Sequence, residues 1–294
     1  MIAIPPIDCT APGVLTATNA VDAAAWLAGT TYAANAVASK AGRNWTSVQA
    51  ANIGHDPVTE PLWWVDAGPI NSLAMFDTSV QTASTAVGGL TWTLEVGRFT
   101  CIGLMGLVGQ SVTITVDDGA TEIHTETRTL QSTNGTYYSF CFEDLSQTDA
   151  AVFSGLLSSP TCSVTISIST APAAVAACGL CVIGKQFFVG HAQYGFSSPI
   201  EDRGRHYLDS LDNPVNVERG YSKGASGALT LERSAHNRLS GFLAAHIGEP
   251  MLWVCAPDQN DLVAANVFGR YVRAVPVIQS HSQITLALEI SGYR

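Results

Sequence analysis

Three stretches of strict alternation constrain this chain most: Leu90-Thr-Trp-Thr-Leu-Glu-Val96, Val112-Thr-Ile-Thr-Val116 and Val164-Thr-Ile-Ser-Ile168. Each sets apolar side chains at every second position, with Thr or Ser between most of them. Successive side chains of a strand point to opposite faces, so the pattern predicts strands buried on one face and hydroxyl-rich on the other. Phe99 to Val108 is apolar on both faces and reads as a central strand. Asp117-Asp-Gly119 and Ser132-Thr-Asn-Gly135 carry turn chemistry. Further strands are expected at 121–130 and 136–142, and one or two within 173–189. About eight strands with almost no helix predict a two-sheet jelly-roll sandwich over residues 71–189.

Upstream, Pro61-Leu-Trp-Trp-Val-Asp-Ala-Gly-Pro-Ile-Asn-Ser-Leu-Ala-Met-Phe-Asp77 reads as the junction between a small unit and the sandwich. Trp63 and Trp64 would face opposite ways on a strand, so only one easily enters a given core. Asn71 and Asp77 are corner residues that bond their own backbone. Residues 22–70 are broken by Gly and Pro into two or three short strands, with Asp22 placed to cap a short helical turn before Ala23-Ala-Ala-Trp26. Residues 1–21, with prolines at 5, 6 and 12, read as an extended arm lying on something else. Residues 190–294 read as an α+β domain with one helix, whose stripe is Ala235, Leu239, Phe242, Leu243 and Ile247 and which ends at Gly248 and Pro250. Its strands are expected at 228–232, 251–256, 267–275 and 284–290, with a loop at 257–261. The fold class is therefore mainly β: a small module, a β-sandwich and a C-terminal α+β domain.

Charged residues are only 13% of the 294, against 47% hydrophobic, so much of the surface is built from small polar residues or covered by other chains. A net charge of -10 without a basic run argues against nucleic acid and anionic membranes as partners. Met1 to Asp8 lacks the positive n-region of a secretory signal, which suggests use without export. The longest apolar run, Ala171 to Gly184, contains a proline and falls short of the ~18 residues that span a bilayer, so membrane insertion is not expected. Seven scattered cysteines read as buried thiols.

No catalytic, cofactor or metal site is assigned, and the chain is not expected to be an enzyme. Cys178-Gly-Leu-Cys181 lacks a second ligand pair, and residues three apart on a strand face opposite ways. His236 and His246 lie ~15 Å apart along a helix, too far for one metal. Glu201 and Asp202 beside Arg203 and Arg205 read as a solvated loop with local ion pairs.

Ala25-Trp26, Tyr32, Ala34-Asn35-Ala36-Val37, Gly42, Trp45, Asn52, Pro57, Trp63 and Gly68 resemble the pattern of type-3 chitin-binding modules, with Ala34-Asn35 where that family has Gly-Asp and Trp45 where Tyr is common. The resemblance implies that Trp26, Tyr32, Trp45, Trp63 and Trp64 stack on sugar rings. The alternative is that they form the core of a domain too small to have another. The sandwich resembles galactose-binding-like domains in architecture alone.

Across most of the chain, Trp64-Val-Asp-Ala-Gly-Pro-Ile-Asn-Ser-Leu-Ala-Met-Phe-Asp77, Ile183-Gly-Lys, the Gly190 and Tyr194-Gly segment and Phe268-Gly-Arg before the last strand resemble a family of tailed-bacteriophage tail-tip or baseplate proteins. That family tends to show Gly-Pro-Thr-Asn, from which Ile70 and Ser72 depart. The resemblance implies a virion structural subunit in several copies, assembled in the bacterial cytoplasm, whose partners are other tail proteins and copies of itself. It also implies a module available for contact with a host surface glycan. Two alternatives stand beside it: a carbohydrate-binding adhesin, and a carbohydrate-active enzyme with an appended binding module, which would need two carboxylates in one cleft.

Overall fold

The computed structural model describes residues 1–119, 121–132, 137–142, 146–218, 220–256 and 265–293. The loop expected at 257–261 lies outside them, as does most of the turn at 132–135. The chain is mainly β and stacks three sheets and a helix.

The first layer is a five-stranded antiparallel sheet, Thr121–Thr129, Ser111–Asp118, Cys162–Ser169, Leu90–Glu95 and Leu15–Thr18 in spatial order. The alternating segments do what their period dictates. Trp92, Ile114 and Ile166 share one register line and are fully buried. On the other face, hydroxyls pair across strands, Thr93 with Thr165 and Thr91 with Ser167 at 3.0 Å each.

The second layer has three strands, Ala150–Ser154, Cys101–Met105 and Leu180–Gly184, and is covered on both sides. Ile102, Leu104, Phe153 and Ile183 face the first sheet, completing the sandwich. Met105, Ala150, Val152, Leu180 and Val182 face the opposite way, onto the third layer. This is the physical meaning of an apolar run without alternation.

The third layer is the large C-terminal sheet, ordered Phe187–Phe188, Ile2–Ile4, Met251–Val254, Val267–Ile278, Gln283–Gly292, Tyr221–Glu232 and His191–Ala192, with Ile200–Asp202 also on Tyr221–Glu232. Ile2, Ile4, Leu252 and Phe268 face the second layer, while Ala3, Trp253, Leu286 and Leu288 face the helix side. The two sheets approach closely at Gly103, where an added Cβ would lie 2.0 Å from Leu252 Cδ2.

Residues 1–21, read as an extended arm lying on something else, contribute one strand to each of two sheets. Ile2–Ile4 pairs with both Met251–Val254 and Phe187–Phe188, and the terminal amino group donates to the Gly190 carbonyl at 2.6 Å. Ile2, Ala3 and Ile4 are apolar on both faces, which suits a strand between two layers. Leu15–Thr18 instead edges the sandwich.

The C-terminal helix spans His236–Ala245 after a 3-10 turn, Arg233–Ala235. Leu239 and Leu243 are buried and Phe242 stacks on Phe187, with ring centres 4.0 Å apart. Ile247, expected on the stripe, is 72% exposed because the helix ends before it. The strand expected at 136–142 is instead a helix at Tyr137–Phe142. The flanking Gln131–Ser132 and Ser146–Gln147 pair with each other.

Cys178 and Cys181 were expected to face opposite ways, yet both enter the sandwich core. They lie on different strands, separated at Gly179, where the chain turns against the Val80 carbonyl. All seven cysteines are free thiols; Cys141 is exposed and Cys255 half-buried, the other five buried.

Candidate functional site

The small module is a three-stranded sheet, Val37–Lys40, Arg43–Ser47 and Trp64–Pro69. Ala41 and Gly42 both take positive φ, the two-residue turn that matches strand twist in a tight hairpin. Asp22 caps no helix. Its carboxylate accepts the Ser72 backbone N–H and hydroxyl, and Ala25 bridges Ser39 instead of starting a helical turn. Asn71 also reaches outward, accepting the Thr85 N–H at 2.8 Å and donating to the Thr85 and Val21 carbonyls. These bonds tie the module to the sandwich at the junction. Asp77 behaves as expected, accepting the Ser79 N–H at 2.7 Å.

Adjacent Trp63 and Trp64 take opposite faces. Trp64 is 1% exposed, its indole N–H donates to the His55 carbonyl at 2.9 Å, and Tyr32 meets it edge-on with ring centres 5.0 Å apart. A side chain so enclosed offers no face to a sugar, so Trp64 belongs to the module's core and not to a contact surface. Tyr32 is half-buried, and its hydroxyl accepts the Leu27 N–H. Trp45, on the middle strand, is half-buried and donates to the Lys40 carbonyl at 3.2 Å.

Trp26 and Trp63 are also half-buried, and a chain of polar contacts connects them. The Lys40 ammonium lies 4.0 Å above the Trp26 ring and pairs with Asp56 at 2.6 Å. The Asp56 N–H donates to Glu60, Glu60 is hydrogen bonded to His55, and the His55 imidazole stacks on Trp63 with ring centres 3.9 Å apart. The Lys40 ammonium, followed by the Val58 N–H, holds the Asp56 carboxyl below its ordinary range. Trp26 Nε1 is buried and has no hydrogen-bond partner among the described residues.

The structure thus sets half-buried Tyr32 against the buried Trp64 and leaves Trp26, Trp45 and Trp63 half-buried as well. Sequence reasoning missed Lys40, His55, Asp56 and Glu60. The one local signal was Asp56 four residues before Glu60, a spacing that lets a carboxylate close a turn. An aromatic flanked by a carboxylate and an imidazole can stack on an apolar sugar face and bond its hydroxyls.

Elsewhere, Glu201–Arg203 and Asp202–His206 are exposed local pairs where the chain passes from the large sheet into a hairpin. Among the described residues no group of three or more His, Cys, Asp or Glu could hold a metal, and no helix is long and apolar enough to cross a membrane. No protein-family model matches the chain, and no curated protein matches it.

Proposed function

We propose that the chain is a structural subunit of a bacteriophage tail tip or baseplate, working in several copies among other tail proteins. The observation that carries this reading is the distribution of exposed large apolar side chains on a charge-poor surface. Val21, Leu27 and Leu62 lie exposed in or beside the small module, and Tyr194, Ile200, Leu208 and Leu211 on the C-terminal domain. Exposed apolar area in separate regions suits a protein that meets more than one neighbour. The stacked sheets supply a stiff body, and the sequence resemblance supplies the biological setting. Gold-labelled antibody against the chain tests this on virions of the phage that encodes it. Label at the distal tail is expected, and virions without the chain would contradict the reading.

Glycan contact by the small module is the second reading, supported by half-open Trp26 and Trp63 beside Asp56 and Glu60. On that reading the module serves the same particle by touching the host surface.

A further inference from the structure

Between Asp202 and Tyr221 the chain leaves the large sheet and forms a hairpin, Arg205–Leu208 with Pro214–Val217. Its strands pair with each other and, among the described residues, with no other strand, and every side chain of Arg205–Leu208 is exposed. A lone two-stranded hairpin is marginal in water. At its tip, Leu208 and Leu211 are 63% and 78% exposed. The tip is nevertheless preformed, because the Asp209 carboxylate accepts the N–H groups of Leu211 and Asn213 at 2.8 and 2.9 Å. Residues 208–213 carry two carboxylates, Asp209 and Asp212, and no cation.

A surface of the opposite character lies at the other end of the same sheet. Arg233, His236, Asn237, Ile278 and His281 line a cleft of about 600 Å³. Arg233 contacts His281 at 3.2 Å and has no carboxylate partner among the described residues; neighbouring Glu232 accepts the Ser234 hydroxyl. Ile278 is exposed beside them.

The two surfaces cannot meet within one chain. Tyr221–Glu232 runs from the base of the hairpin to the residue before Arg233, and Ile278 and Gln283 flank His281 at that same far end. At ~3.3 Å per residue, its length separates them by roughly 36 Å. Ile200–Asp202, paired on Lys223 to Tyr221, aims the hairpin away from the cleft.

We propose that the tip at 208–213 of one copy docks in the Arg233, His236, Ile278 and His281 cleft of the next, so that copies join head to tail. This rests on the multi-copy reading above and specifies its contact. The leucines meet Ile278, and the carboxylates of the tip meet the Arg233 guanidinium and the imidazoles. Such a contact uses two different patches, so it closes into a ring or propagates as a filament.

Mixing two variants tests it. Leu211→Lys disables the tip and keeps the cleft; Arg233→Glu disables the cleft and keeps the tip. Native mass spectrometry and sedimentation give the masses, and circular dichroism confirms folding, with His281→Glu replacing Arg233→Glu if that variant misfolds. Wild type is expected to form oligomers, each variant alone to associate roughly tenfold or more weakly, and the equimolar mixture to form heterodimers that grow no further. If wild type assembles and either folded variant assembles equally well, or the mixture stays monomeric, the docking is wrong while the multi-copy role stands. A wild type monomeric at every concentration overturns both.

Discussion

The Asp22 carboxylate takes both the backbone N–H and the hydroxyl of Ser72, each at 2.7 Å, across fifty positions of sequence. This clamp, with Asn71 on Thr85, fixes the small module where its chain enters and leaves it. Asp22→Ala strands the Ser72 donor and is expected to destabilise the junction by about 1–3 kcal/mol. In a double-mutant cycle of urea unfolding, Asp22→Ala and Ser72→Ala should cost clearly less together than the sum of each alone. Additive losses would mean that the Asp22 carboxylate and the Ser72 hydroxyl are not coupled.

At Gly103 the second and third layers approach closely. Gly103→Ala would drive a methyl into Leu252, and overpacking of this kind costs about 1–3 kcal/mol. Leu252→Ala in the same chain should return part of the loss, since it vacates the space that the methyl needs. Thermal unfolding of the single and double variants decides it.

The two neighbouring tryptophans should separate cleanly. Trp64→Ala removes a buried indole and is expected to cost about 3–5 kcal/mol of module stability, whereas Trp63→Ala should leave the fold intact. If the module contacts glycan, Trp63→Ala lowers retention on a glycan array while circular dichroism stays unchanged. Loss of fold in Trp63→Ala would assign it to the core.

Thiol chemistry gives a map of burial. Desolvation pushes Cys101 and Cys178 up to about 12, and Cys181 well above its ordinary value. At pH 8 these three should resist iodoacetamide in the native state and react only in denaturant, while exposed Cys141 reacts first. Mass spectrometry of timed digests reads the order directly.

On the projecting hairpin, Asn216 and Asp202 raise His206 above its ordinary 6.5, and the Gly204 N–H with His206 lowers Asp202 below its ordinary 3.8. The His206 contribution is therefore full below 6.5 and lost as pH rises through its raised value. The Asp202 contribution is full above 3.8 and lost as pH falls through its depressed value. Both operate together between those limits, and an NMR titration should show the His206 midpoint fall in Asp202→Asn.

Strand identity was legible wherever one face met water, because alternation in Val112–Val116 or Val164–Ile168 records that asymmetry. Layer order was not. Ile2-Ala3-Ile4 is too short to have a period, and its partners lie some 190 and 250 positions away along the chain. The aromatic run at 137–142 has strand propensity, yet it forms a helix. At the candidate site the tryptophans were visible by type. Lys40, His55, Asp56 and Glu60 were not, since each is an ordinary surface residue until folding sets it against an indole.

The most direct measurement is the mass of the purified wild-type chain in solution across concentration, followed by imaging of what it forms. Rings or filaments built on one repeating contact are expected. A well-behaved monomer throughout would contradict a multi-copy structural role.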